Sequence, residues 1–112
     1  MISVLYVPCG KKEEAESISR QLLDEKLIAC ANIIPAADSL YVWQGMLEQT
    51  QESIMLVKTS PEYRGRVMQR IEELHSYECP CILEWKIEAV NPAYAKWVHE
   101  SVQPQPMKSE HL

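Results

Sequence analysis

The sequence predicts an α+β protein of the ferredoxin-like class, a βαββαβ sandwich with a long central hairpin and a short C-terminal helix. Two signals carry this. Apolar runs and helical periodicities alternate along the 112 residues in the order strand, helix, strand, strand, helix, strand, helix. A Gln44-Gly45 pair then sits between two strand-like stretches, so the middle two strands form one hairpin. The length allows one domain, residues 1–102, followed by a polar tail over 103–112.

Ile2 to Val7 is an almost unbroken apolar run closed by Pro8-Cys9-Gly10, the pattern of a strand covered on both faces. Lys11 to Leu27 carries Ala15, Ile18 and Leu22 at helical spacing with charges between them. Ile28 to Ile34 reads as a second strand. Pro35 has no N–H to donate to a ladder, so the strand bulges there and resumes over Ser39 to Trp43. A two-residue turn at Gln44-Gly45 sets Trp43 opposite Met46 and Tyr41 opposite Glu48, and the third strand runs to Thr59. Ser60-Pro61 predicts a side-chain cap and a helix start, with Val67, Met68, Ile71 and Leu74 as its apolar stripe. A fourth strand alternates Leu83, Trp85 and Ile87 with charged residues. Asn91-Pro92 caps a last helix carrying Tyr94, Trp97 and Val98, and the proline-containing tail is expected to fray.

The composition excludes several function classes. A net charge of −5 with no basic stripe disfavours nucleic acid. No apolar run approaches the ~20 residues of a membrane-spanning helix. The start, Met1-Ile2-Ser3-Val4, has no basic leader followed by an apolar stretch, so a cytoplasmic protein is predicted. In that compartment Cys9, Cys30, Cys79 and Cys81 are free thiols, and no paired C-x-x-C knuckles mark structural zinc.

A four-stranded sheet covered on one face leaves the other face in need of protection. Each arm of the central hairpin also far exceeds the usual ~5–6 residues of a strand. Val42, Leu47, Met55 and Trp85 are expected to be exposed on the single subunit, and self-association is the common way to cover such edges.

Two groups of side chains could carry chemistry. In an extended Cys79-Pro80-Cys81 the sulfurs point the same way and are soft donors suited to Cu(I), with His75 completing a trigonal set. The alternative is that both are small buried hydrophobes. Cys9, in an exposed-looking turn, reads equally as ligand or core. The second group shares one face of the hairpin: Glu48, Glu52 and Lys58 have the same parity on the third strand, and Tyr41 and Trp43 join them by register. With Tyr77 and His75 from the loop these form either a pocket at a subunit junction or a plain solvated face.

Several stretches resemble the CutA (divalent-cation tolerance) family. Ala29-Cys30-Ala31-Asn32-Ile33-Ile34-Pro35 is similar to its second-strand motif. Ser39 to Gly45, Leu47-Glu48, Glu52 and Val57-Lys58-Thr59 are similar to its hairpin. His75-Ser76-Tyr77-Glu78-Cys79-Pro80 resembles its His-Pro-Tyr-x-x-Pro loop. The match runs in register over roughly residues 2 to 100. It implies a ferredoxin-like homotrimer, similar in architecture to the PII signalling proteins, with a role in tolerance of copper or another divalent cation and no settled catalytic activity. It also implies Cys9 and His75 as metal ligands, although Leu74 stands where the family has a first histidine and Ser76 where it has proline. The expected function is a non-catalytic metal-responsive trimer. The alternative is a PII-like module binding a small molecule or partner protein at subunit clefts, although Gly10, Gly45 and Gly65 form no phosphate cradle.

Overall fold

The computed structural model describes residues 1–106; the end of the tail, including His111, lies outside the described residues. Strand β1 (Ile2–Cys9) is followed by helix α1 (Lys12–Asp24), strands β2 (Cys30–Trp43) and β3 (Met46–Thr59), helix α2 (Arg64–Leu74), strand β4 (Leu83–Ile87) and helix α3 (Pro92–Ser101). The sheet is antiparallel in the order β2-β3-β1-β4, the ferredoxin-like arrangement the sequence predicts.

Alternation along the strands divides the sheet into two faces. Leu5 and Val7 of β1 and Met55 and Val57 of β3 point to one side, where they meet Ala15, Ile18 and Leu22 of α1 and Val67 and Ile71 of α2. Met55 is therefore fully buried, not exposed as expected. The hairpin's parity was legible, but which parity meets the helices is decided only by how α1 and α2 cross the sheet. The opposite face is covered at one end by α3, whose Val98 packs on Ile2, with Val4, Ile87 and Tyr94 around it. Along the rest of that face Ile34, Leu83 and Trp85 remain exposed.

Local chemistry explains the boundaries. Helix α1 ends at Asp24, earlier than periodicity predicts, and Lys26 turns the chain at a positive φ of 57°. The bulge falls between Ile34 and Ala37, with Ala36 at φ 61°, so Pro35 interrupts the ladder without ending it. Gln44 and Gly45 both have positive φ, the two-residue hairpin turn that fits the twist of the strands and sets Tyr41 opposite Glu48. Ser60 precedes a short 3-10 turn, Pro61–Tyr63, that leads into α2, and Asn91 precedes α3, but neither side chain caps the turn or helix that follows it. The Ser60 hydroxyl instead bonds His99 Nδ1 at 2.7 Å, and His99 Nε2 lies 3.0 Å from the Met1 carbonyl, tying α3 to the first residue. The first part of the tail is anchored: the Gln103 N–H donates to Lys26 O at 3.0 Å and Arg66 donates to Gln105 O at 2.9 Å.

The ladder between β1 and β3 ends at Cys9 and Ser53. From Met46 to Glu52, β3 is paired only with β2, and the two-stranded ribbon runs on past the sheet. The radius of gyration is 15.1 Å, against about 13 Å for a compact chain of this length.

Leu5 is wholly buried at the centre of the core. Leu5→Ala is expected to lower unfolding stability by about 2–5 kcal/mol, read by urea denaturation at fixed protein concentration. A loss below about 1 kcal/mol would contradict this placement of the core.

Candidate functional site

Where the ribbon leaves the sheet it forms a re-entrant corner. Glu52 is the first residue of β3 beyond the end of β1, and Glu48 lies on the same strand face two pleat repeats further out. The loop of residues 75–82 is folded into this corner by hydrogen bonds at three points. The Tyr77 hydroxyl donates to Glu52 Oε2 at 2.7 Å. The Tyr77 N–H donates to His75 Nδ1 at 3.1 Å, which leaves Nε2 as the protonated nitrogen donating to the Pro8 carbonyl at 2.9 Å. The Ser76 N–H donates to a Glu14 carboxylate oxygen at 2.7 Å. Gly10 makes room for the loop, because a Cβ there would lie 3.3 Å from the Tyr77 oxygen.

The corner encloses a cleft of about 510 Å³. Tyr41, Trp43 and Tyr77 supply aromatic walls, Glu48, Glu52 and Glu78 supply carboxylates, Cys79 and Cys81 supply thiols, and Pro8 closes one side. Glu52 is only 8% exposed. Burial and then the Glu52 carboxylate push the Tyr77 hydroxyl well above the usual phenol range, so it stays protonated and donating. Burial, then Glu52 and Cys79, push the Cys81 thiol up in the same way.

The cleft brings together Tyr41, Trp43, Glu48, Glu52, Tyr77, Cys79 and Cys81, and leaves three predicted site residues elsewhere. Cys79 and Cys81 are exposed, which removes the reading of them as buried hydrophobes. Cys9 has no exposure, on the helix-facing side of β1. Burial foremost, then the Glu14 and Glu52 charges, push its thiol up to about 12. The Pro-Cys-Gly turn looked open in sequence only because α1 and α2 were not yet laid over it. Lys58 shares the parity of Glu52 but lies at the other end of the face, its ammonium 5.6 Å from the Tyr94 ring centre. There the Cys30 sulfur is 3.4 Å from the Tyr94 oxygen. Pro8 and Glu78 were not anticipated. Pro8 has the parity of Val4 and Tyr6, a usable signal, whereas nothing in the sequence singles out Glu78.

This arrangement tests the metal set that the resemblance implies. Both nitrogens of His75 are committed to backbone groups, and Cys9 is buried as a protonated thiol. Among the described residues no three His, Cys, Asp or Glu side chains come together to hold an ion. Cys9, His75, Cys79 and Cys81 thus do not form a donor set within one subunit. Of that set, Cys79 and Cys81 are the accessible soft donors.

The fold and cleft together define a ferredoxin-like α+β protein with an open, acidic, aromatic-walled corner beside its central hairpin. The model of the CutA1 divalent ion tolerance protein family matches residues 3–101. The solved structure of the periplasmic divalent cation tolerance protein CutA from Archaeoglobus fulgidus is 37% identical, with a TM-score of 0.88, and the match covers 92% of this chain and all of that one. The Thermus thermophilus divalent cation tolerance protein is 34% identical with a TM-score of 0.87, covering 92% of this chain and all of its own. The mouse protein named CutA is 31% identical over 88% of this chain, which spans 56% of the mouse protein's length. The chain belongs to the CutA1 divalent ion tolerance protein family.

With a thiol pKa near 12, Cys9 at pH 8 carries about one part in ten thousand of thiolate, in addition to being inaccessible. Titration with Ellman's reagent at pH 8 is expected to label Cys79 and Cys81 within minutes and Cys9 only after unfolding. Labelling of Cys9 in the native protein at the same rate would contradict the burial described.

Proposed function

We propose that this protein is a non-catalytic homotrimer that responds to divalent cations, copper among them, by holding the metal at the cleft beside the hairpin. Cys79 and Cys81 serve as the thiol donors of one subunit, and the remaining donors come from a neighbouring copy. The observation that carries this reading is that two exposed thiols and the carboxylates of Glu48, Glu52 and Glu78 line one cleft, spread around it so that a neighbouring copy must complete the donor set. Thiolates select Cu(I), carboxylates suit harder ions, and the cleft offers both. The trimer is supported by the ribbon beyond β1, where Val42 is 68% and Leu47 72% exposed beside Leu40 and Met46. Free, exposed thiols favour a reducing compartment, so a cytoplasmic location is part of the proposal; the periplasmic description belongs to the archaeal relative.

A second reading is favoured by the aromatic walls. Tyr41, Trp43 and Tyr77 give the cleft more surface than an ion needs, which supports a small-molecule site at a subunit junction in the manner of PII-like modules. A thermal-shift screen with common metabolites separates the two, since silence across it leaves the metal reading alone.

Anaerobic titration with Cu(I) against a chromophoric competitor tests the first reading. The wild-type protein is expected to take up Cu(I) more tightly than micromolar, and the Cys79→Ser/Cys81→Ser variant to lose at least about tenfold in affinity. Both positions are exposed, so an unchanged circular dichroism spectrum accompanies the loss. Equal affinity without the two thiols, or no binding at micromolar concentration, would overturn it.

A further inference from the structure

We infer that the same cleft is a binding site for a small organic cation bearing N–H donors, a protonated amine or a guanidinium. The inference rests on the second reading above, that the cleft takes a small molecule, and is independent of the thiols.

The first ground is Glu52. It is more than nine-tenths buried and receives one hydrogen bond, from the neutral Tyr77 hydroxyl to Oε2. Among the described residues no Lys, Arg or His side chain forms an ion pair with it, and Oε1 has no protein donor. Buried charges are ordinarily paired, because removing a carboxylate from water without a counter-charge costs several kcal/mol. Oε1 is not among the buried atoms left without a partner, so the carboxylate meets solvent only through the cleft, and a cation entering there would pair with it.

The second ground is the remainder of the lining. Glu48 and Glu78 add two carboxylates, and no basic side chain lines the cleft to offset them. Anionic metabolites are therefore repelled. Tyr41 and Trp43 share the strand face of Glu48 and Glu52 and line the cleft, and an aromatic ring attracts an organic cation placed over its face. The carboxylates are spread around the cleft and do not converge on one point, since no three acidic, thiol or imidazole groups are close enough for an ion. That spacing suits an extended ligand better than a bare metal. A volume of about 510 Å³ accommodates a molecule with charge at one end and a methylene chain against the rings. N–H donors are required because a carboxylate rewards a hydrogen-bonded cation, a guanidinium in two-point contact above all.

Isothermal titration calorimetry of the full chain with agmatine, 1,4-diaminobutane, tetramethylammonium and succinate tests this. Agmatine and the diamine are expected to bind saturably, tetramethylammonium several-fold more weakly, and succinate not at all. Glu52→Gln, which keeps an acceptor for Tyr77, is expected to weaken agmatine at least about tenfold. Glu48→Gln, at a half-buried position that tolerates the change, gives a smaller loss and guards against misfolding of the first variant. Glu100→Gln, an exposed carboxylate change on α3 outside the cleft, leaves agmatine affinity unchanged. The inference is overturned if no organic cation binds, if succinate binds as well as agmatine, or if neither glutamine substitution weakens binding. Succinate or another metabolite binding in the cleft without agmatine would sink the inference and leave the small-molecule reading standing. Silence from every small molecule would end both.

Discussion

The β3 strand outruns β1, and most of what is distinctive in this molecule follows from that mismatch of lengths. β1 pairs β3 only as far as Ser53, so the ribbon from Met46 to Glu52 has β2 on one side and nothing on the other. Among the described residues no side chain of the ribbon joins the packed core. The ribbon's side chains are shielded only near the corner, where Glu52 is buried by the loop that Tyr77 pins beneath the ribbon. Further out, Leu47 and Val42 have water as their neighbour. An apolar ribbon left open on a single subunit carries a free-energy penalty that association removes, and the site forms where the ribbon and the subunit body diverge.

The loop makes the corner chemically specific. His75, a ligand candidate on sequence grounds, acts as a brace: its ring joins the Pro8 carbonyl to the Tyr77 N–H and packs tilted against the Tyr77 ring, centroids 4.7 Å apart. Ser76 has an N–H and uses it on Glu14, a bond that proline at this position could not make. The loop is thus held to β1 and α1 at once, and it carries Glu78, Cys79 and Cys81 to the cleft. Cation tolerance, the property for which the family is named, fits a corner whose fixed charges are all negative.

Local signals made much of this legible in the sequence. The order of elements, the bulge at Pro35 and the Gln44-Gly45 turn all follow from backbone chemistry within a few residues. The turn in turn fixes the register that places Tyr41, Trp43, Glu48 and Glu52 on one face. What was not legible depends on contacts distant in sequence. Parity cannot say that Met55 faces the helices, or that Cys9 lies beneath them. Nor does parity give position along a strand: Lys58 shares a face with Glu52 but sits about 20 Å away at ~3.4 Å per residue. Ser60 has the local pattern of a cap, yet its hydroxyl is claimed by His99, thirty-nine residues on. The exposure of Cys79 and Cys81 depends on how the loop enters the corner, which nothing nearby in sequence encodes.

The central claim is that the unshielded ribbon is covered by copies of the same chain. Sedimentation equilibrium of the purified protein at micromolar concentration measures this directly. The account predicts a species of three times the 12.9 kDa chain mass, persisting on dilution. A monodisperse single subunit at that concentration would contradict it.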